Sequence, residues 1–169
     1  MPAGFVLLDF WRWSASDLLS HATRGVLAEY IVAQALGAVG GVPRREWDAY
    51  DLTTPLGVRV EVKSAAYVQS WPQTRPSAIR FGVRGTVLPA SDGTVQDPAV
   101  RRRSDIYVFA LLAHKDRATL DPLDLGQWLF DVVATAVLDA RLGAQKWVSL
   151  KTLGEVAGPG IGFSRLRLL

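Results

Sequence analysis

Three acids and one amine are spaced in this sequence so that they could act together. In "VRVEVK" (residues 58–63) apolar and polar residues alternate as in a strand, so Glu61 and Lys63 share one face while Val58, Val60 and Val62 share the other. Such a pair is common on exposed sheets, so its meaning depends on what surrounds it. Upstream, "WDAYDLTT" (47–54) and a turn at residues 55–57 read as the first arm of a β-hairpin that the strand completes. With a two-residue turn centred on Pro55 and Leu56, Asp48 lies opposite Lys63, Tyr50 opposite Glu61, and Asp51 opposite Val60. A one-residue bulge near the turn exchanges Asp48 for Asp51. Asp48 is the preferred partner, with Asp51 as its rival.

Two carboxylates from adjacent strands, completed by a backbone carbonyl such as that of Val62 and by water, suit Mg²⁺, with Mn²⁺ as the alternative. A lysine beside them can orient an attacking water or help deprotonate it, and can stabilise the charge that grows on phosphorus during in-line displacement. That is phosphodiester hydrolysis. Glu29 adds to the group. It sits in "VLAEYIVAQAL" (26–36), a helix apolar nearly all round, where Gly25, Val26, Val32 and Ala33 offer a carboxylate no partner. A helix packed across the hairpin would point Glu29 at the same cation. The bland alternative makes Lys63 a surface ion pair with Asp48 and sends Glu29 to an arginine at the helix edge.

With these residues in place, the sequence resembles the PD-(D/E)XK nucleases, the restriction-endonuclease-like superfamily that includes Holliday-junction resolvases. The resemblance covers residues 23–64: a helix glutamate in "LAEYIVA", an aspartate in "EWDAYD", and "EVK" after a glycine-containing turn. It implies that Asp48 and Glu61 bind metal, that Lys63 is the catalytic lysine, and that Glu29 is the supporting helix acid. It also implies a restriction-endonuclease-like α/β/α sandwich. Trp47 stands where the family's name has proline.

The elements that must position these residues follow from the rest of the pattern. The 169 residues set an expectation of a single nuclease-like domain, 1–169, and the 49% hydrophobic and 21% charged residues are those of a globular chain. A buried helix over 23–37, a third strand in 77–85, a buried strand in 104–114 and another in "WLFDVVAT" give an α/β fold with a mixed sheet. The helix covers one face and C-terminal helical pieces cover the other. A short helix over 16–21 is expected to lie as a flap on the core, and residues 86–103 to form a long exposed loop.

For a nucleic-acid partner the candidates are Arg44 and Arg45 before Asp48, Gln69 and Trp71 in "YVQSWPQTRP", and Arg101, Arg102 and Arg103 at the end of the long loop. The formal charge of +3 is compatible with DNA. The chain has no cysteine, which excludes thiolate metal sites and disulfides, and His21 and His114 have no zinc or triad spacing. No phosphate-binding loop is present. No signal-like or membrane-spanning segment is seen, so a cytoplasmic protein is expected. The function expected is a metal-dependent DNA endonuclease, the alternative a non-catalytic nucleic-acid-binding or assembly module with the same fold. Small size leaves little room for sequence reading, so dimerisation or a partner protein is expected to supply specificity.

Overall fold

A strand with buried side chains on both faces must lie inside a sheet covered twice. Residues 59–66 are such a strand, with Val60, Val62 and Ala66 buried on one side and Ala65 on the other. The computed structural model describes residues 4–40, 44, 48–89 and 94–168. Its first half runs α1 (Leu7–Ala15), α2 (His21–Ala35), β1 (Leu52–Thr53), β2 (Arg59–Ala66), β3 (Arg80–Gly82), β4 (Thr86–Pro89) and β5 (Val95–Arg101). Then come β6 (Ile106–Leu112), β7 (Trp128–Ala134), α3 (Thr135–Leu142), β8 (Trp147–Ser149), α4 (Leu150–Ala157) and α5 (Phe163–Leu166).

The central sheet has the order β1-β2-β6-β7. β2 is parallel to β6, and the outer pairs are antiparallel, so the sheet is mixed. On one face Ala28, Ile31 and Val32 of α2 and Leu166 of α5 meet Val60, Val62, Val108 and Phe130. On the other, Phe81, Val148, Leu138 and Leu153 from the β3-β8 ribbon, α3 and α4 meet Phe109 and Val133. Phe81 contacts Phe109 edge-on with ring centroids 5.1 Å apart. The mixed sheet between helical layers is the α/β architecture expected from the sequence. Among the described residues no helix is long and apolar enough to cross a membrane.

Several local expectations change. Helix α2 begins at His21 rather than at residue 23, because Ser20 is its cap and accepts the Thr23 N–H at 3.3 Å. It ends where Gly37 takes φ +64° and the Ala38 N–H returns to the Ala33 carbonyl at 2.8 Å. The first helix covers 7–15 and not 16–21. Asp9 accepts the Val6 N–H at 3.0 Å to start it, while Asp17 draws the N–H groups of Leu19 and Ser20 into a turn at 3.0 and 3.1 Å. No residue of α1 is buried, and Phe10, Trp11 and Trp13 face outward, so it is not a flap on the core.

Residues 86–103 hold an antiparallel ribbon, β4 with β5, and not an open loop. The ribbon folds back closely on Gly85, where an added Cβ would stand 2.8 Å from the Arg101 carbonyl carbon. Only glycine fits that approach. The strand expected in 77–85 shrinks to β3 and pairs with β8 rather than with the central sheet.

Candidate active site

The turn before β2 decides which aspartate joins Glu61. Thr54 donates to the Val58 carbonyl at 2.9 Å, and Gly57 donates to Thr54 at 2.9 Å. The loop therefore holds three residues, Pro55, Leu56 and Gly57, with Gly57 at φ +81°. Leu52 pairs with Val60 and Thr53 with Arg59, one residue off the register of a two-residue turn. The ladder ends at Leu52, where the Asp51 N–H donates to the Val60 carbonyl at 3.1 Å, and the Asp51 carboxyl there feels the charge of Glu61. Asp48 falls in a bend outside β1, is exposed, and does not lie opposite Lys63. The extra loop residue thus exchanges Asp48 for Asp51.

The Asp51 carboxylate accepts the Val62 N–H at 2.7 Å. In a strand a residue's N–H and C=O point to the same edge, so the Val62 carbonyl is turned toward Asp51 as well. β1 covers only Leu52 and Thr53, which leaves this edge of β2 open to side chains. On the sheet face beside it, the Lys63 ammonium donates to Glu61, both side chains being partly buried. Glu29 reaches the site from α2. Its carboxylate is held by Arg44, whose Nη2 donates to Oε1 at 2.9 Å, which is the arginine partner its apolar helix could not supply.

These groups feel one another. Burial pushes the Asp51 carboxyl up to about 7, the Glu61 charge raises it further, and the Val62 N–H opposes the rise. Glu29 also raises it, and Lys63 lowers it. A half-buried acid that feels two other acids is a site that favours a cation or a proton. Among the described residues no three acidic or histidine side chains form a ready group for a metal ion. Each carboxylate takes a donor from the protein instead: Asp51 from Val62, Glu61 from Lys63, Glu29 from Arg44. The oxygen donors that could hold a hard cation are Asp51 and the Val62 carbonyl, at the edge, and Glu61, on the face beside it. Glu29, engaged by Arg44, contributes field from one layer further out.

The arginine run is employed internally. Arg102 donates to the carbonyls of Val83, Gly143 and Gln145 at 2.7, 3.1 and 3.2 Å and pairs with Asp139. Arg103 pairs with Asp97 at 2.7 Å and donates to the Ala99 carbonyl at 2.6 Å. Their donors point to protein acceptors rather than outward. Arg101 is exposed and shares Asp97. Gln69 is buried: it donates to the Ala66 carbonyl at 2.7 Å and accepts from Arg24 at 3.1 Å, a structural role. Trp71 is exposed, and its carbonyl accepts from Arg117 at 2.9 Å. Arg45 lies outside the described residues.

Two features have no strong signal in the sequence. Arg24, only 2% exposed, binds Ser64, the Leu19 carbonyl and Gln69, all neutral acceptors, one turn after the start of α2. The other is a cleft of about 650 Å³ that Glu61 and Lys63 line together with Arg80, Arg84, Lys146 and Trp147. Its residues come from β2, β3, β8 and their flanks, which no local pattern connects.

A family model matches residues 11–136, a stretch that carries α2, the whole central sheet, and Glu29, Asp51, Glu61 and Lys63. The match places this chain in an endonuclease family. The family is that of bacteriophage T4 endonuclease IV, and the chain belongs to it. No curated protein matches the chain.

Proposed function

We propose that the protein is a Mg²⁺-dependent DNA endonuclease of the PD-(D/E)XK type, with Asp51 in the role the sequence pattern gave to Asp48. The observation that carries this reading is the group at the open edge of β2: Asp51 half-buried and feeling the charge of Glu61, with Lys63 donating to Glu61. Asp51, Glu61 and the Val62 carbonyl are the residues that would hold the ion. Mg²⁺, when bound there, supplies Lewis-acid stabilisation of the phosphate and of the leaving oxygen.

The side chains supply the rest. The Lys63 ammonium, kept in place by Glu61, positions the attacking water and offsets the negative charge on the non-bridging oxygens. Water adds to phosphorus, the bond to the leaving oxygen breaks, and the proton lost by the water balances the one that oxygen gains. Glu29, fixed by Arg44, adds negative field at Asp51, which favours any cation there, a proton or a divalent ion alike.

The test is cleavage of single-stranded, duplex and branched DNA by the purified chain in Mg²⁺, Mn²⁺ or EDTA, with Lys63→Met alongside. Cleavage should occur with either metal, stop in EDTA, and fall about 100-fold in Lys63→Met. Salt-sensitive binding with no cleavage in any condition, indifferent to EDTA and to Lys63, would instead make the chain a binding module.

A further inference from the structure

The charges that line the cleft beside Glu61 are out of balance. Elsewhere arginines outside the cleft have acids: Arg59 bonds Asp105, Arg101 bonds Asp97, and Arg44 bonds Glu29. In the cleft, Glu61 is already engaged by Lys63, and among the described residues no carboxylate pairs with Arg80, Arg84 or Lys146. Three like charges gathered on one wall repel one another, so their placement makes sense if a polyanion lies against them.

The wall is also built rather than accidental. β3 pairs with β8 so that Gly82 faces Trp147, and the Val83 N–H continues the ribbon to the Lys146 carbonyl at 2.9 Å. Phe81, Val83 and Val148 bury one side of this ribbon in the core, which anchors it. On the other side Arg80, Gly82 and Arg84 alternate along the strand. Trp147 lies across the glycine, with ring atom Cζ3 3.4 Å from where a Cβ would stand. The Arg80 guanidinium sits 4.9 Å from that ring, which restrains a long side chain that would otherwise be free.

We propose that the β3-β8 wall is the phosphate-backbone binding site for the nucleic-acid strand that is cut, with Arg84 and Lys146 contacting phosphates and Trp147 positioning Arg80 to contact another. This rests on the endonuclease reading and adds to it where the substrate lies. Lys146 and Trp147 fall beyond the stretch matched by the family, residues 11–136, so part of the track belongs to this chain's own C-terminal region. The strand would run from the wall to the Glu61–Lys63 end of the same cleft.

The experiment measures binding in EDTA by fluorescence anisotropy, using a fluorescein-labelled oligonucleotide of whichever DNA form the wild type cleaves. The salt concentration is varied from about 50 to 200 mM. Arg84→Ala/Lys146→Ala should lower the slope of log K against log salt by about 1.4 to 1.8 and weaken binding at least about tenfold. In Mg²⁺ the same variant should raise KM by a similar factor and leave kcat within about threefold. Arg141→Ala, exposed on α3 and outside the cleft, should change neither quantity. A double variant with wild-type slope and KM, in a protein that does cleave DNA, overturns the wall and leaves the endonuclease reading standing. A wild type that binds DNA with the expected slope but never cleaves it overturns that reading and leaves the wall.

Discussion

Asp51→Asn should lower Mg²⁺-dependent DNA cleavage on the order of 10³-fold, about 4 kcal/mol of barrier, and Glu61→Gln should do the same. Asp48→Asn should stay within about threefold of wild type. The contrast follows from geometry. Asp51 stands beside Glu61, bonded to the Val62 N–H, whereas Asp48 is exposed in a bend outside β1. Asparagine keeps an oxygen for the Val62 N–H but loses the negative charge, so the fold is retained while the cation loses a ligand. Steady-state cleavage rates of the three variants check it. A loss confined to Asp48→Asn would return the role to that residue and refute the register on which the site is built.

The same substitution should stabilise the protein when metal is withheld. Asp51 titrates near 7 in the folded protein, raised first by burial and then by Glu61, against an ordinary value of 3.8. A carboxyl raised on folding contributes its full stability below its unfolded value and loses it as pH rises through the folded one. The metal-free wild type should therefore weaken between about pH 4 and 7 because it must carry a buried charge beside another acid. Asp51→Asn has no such charge. At pH 8 in EDTA it should be more stable than wild type by on the order of 2–4 kcal/mol, with Tm higher by about 5–10 °C, and the difference should vanish near pH 4. Thermal melts across that range decide it; equal stability of the two proteins at pH 8 would mean that Asp51 is not strained by its neighbours. An acid that weakens the fold where it serves the chemistry is a known form of the trade between stability and activity.

The parts of the fold that follow short-range periodicity were legible. β2, β6 and β7 are apolar runs with strand-like alternation, and α2 is a long apolar helix ended by Gly37. Glu61 and Lys63 were legible for the same reason, since a period of two needs no tertiary information. The aspartate was not, because one added loop residue at Gly57 moves every cross-strand partner by one. The internal partners of the "RRR" at 101–103 were hidden for a different reason. Most of its acceptors, at Val83, Asp139 and Gly143, are distant in sequence, and a run of arginines looks the same whether it meets carbonyls or solvent. Gln69 was drawn inward by Arg24, forty-five residues away along the chain. Arg80, Arg84 and Lys146 went unnoticed because each is unexceptional alone and only the β3-β8 pairing sets them on one wall.

The central claim is that the open edge of β2 is a divalent-cation site formed by Asp51 and Glu61. Crystals soaked in Mn²⁺ and measured at its absorption edge test it most directly. An anomalous peak should appear about 2.0–2.3 Å from one carboxylate oxygen of each residue and close to the Val62 carbonyl. A peak at Asp48 instead, or none at this edge under saturating Mn²⁺, would contradict the account.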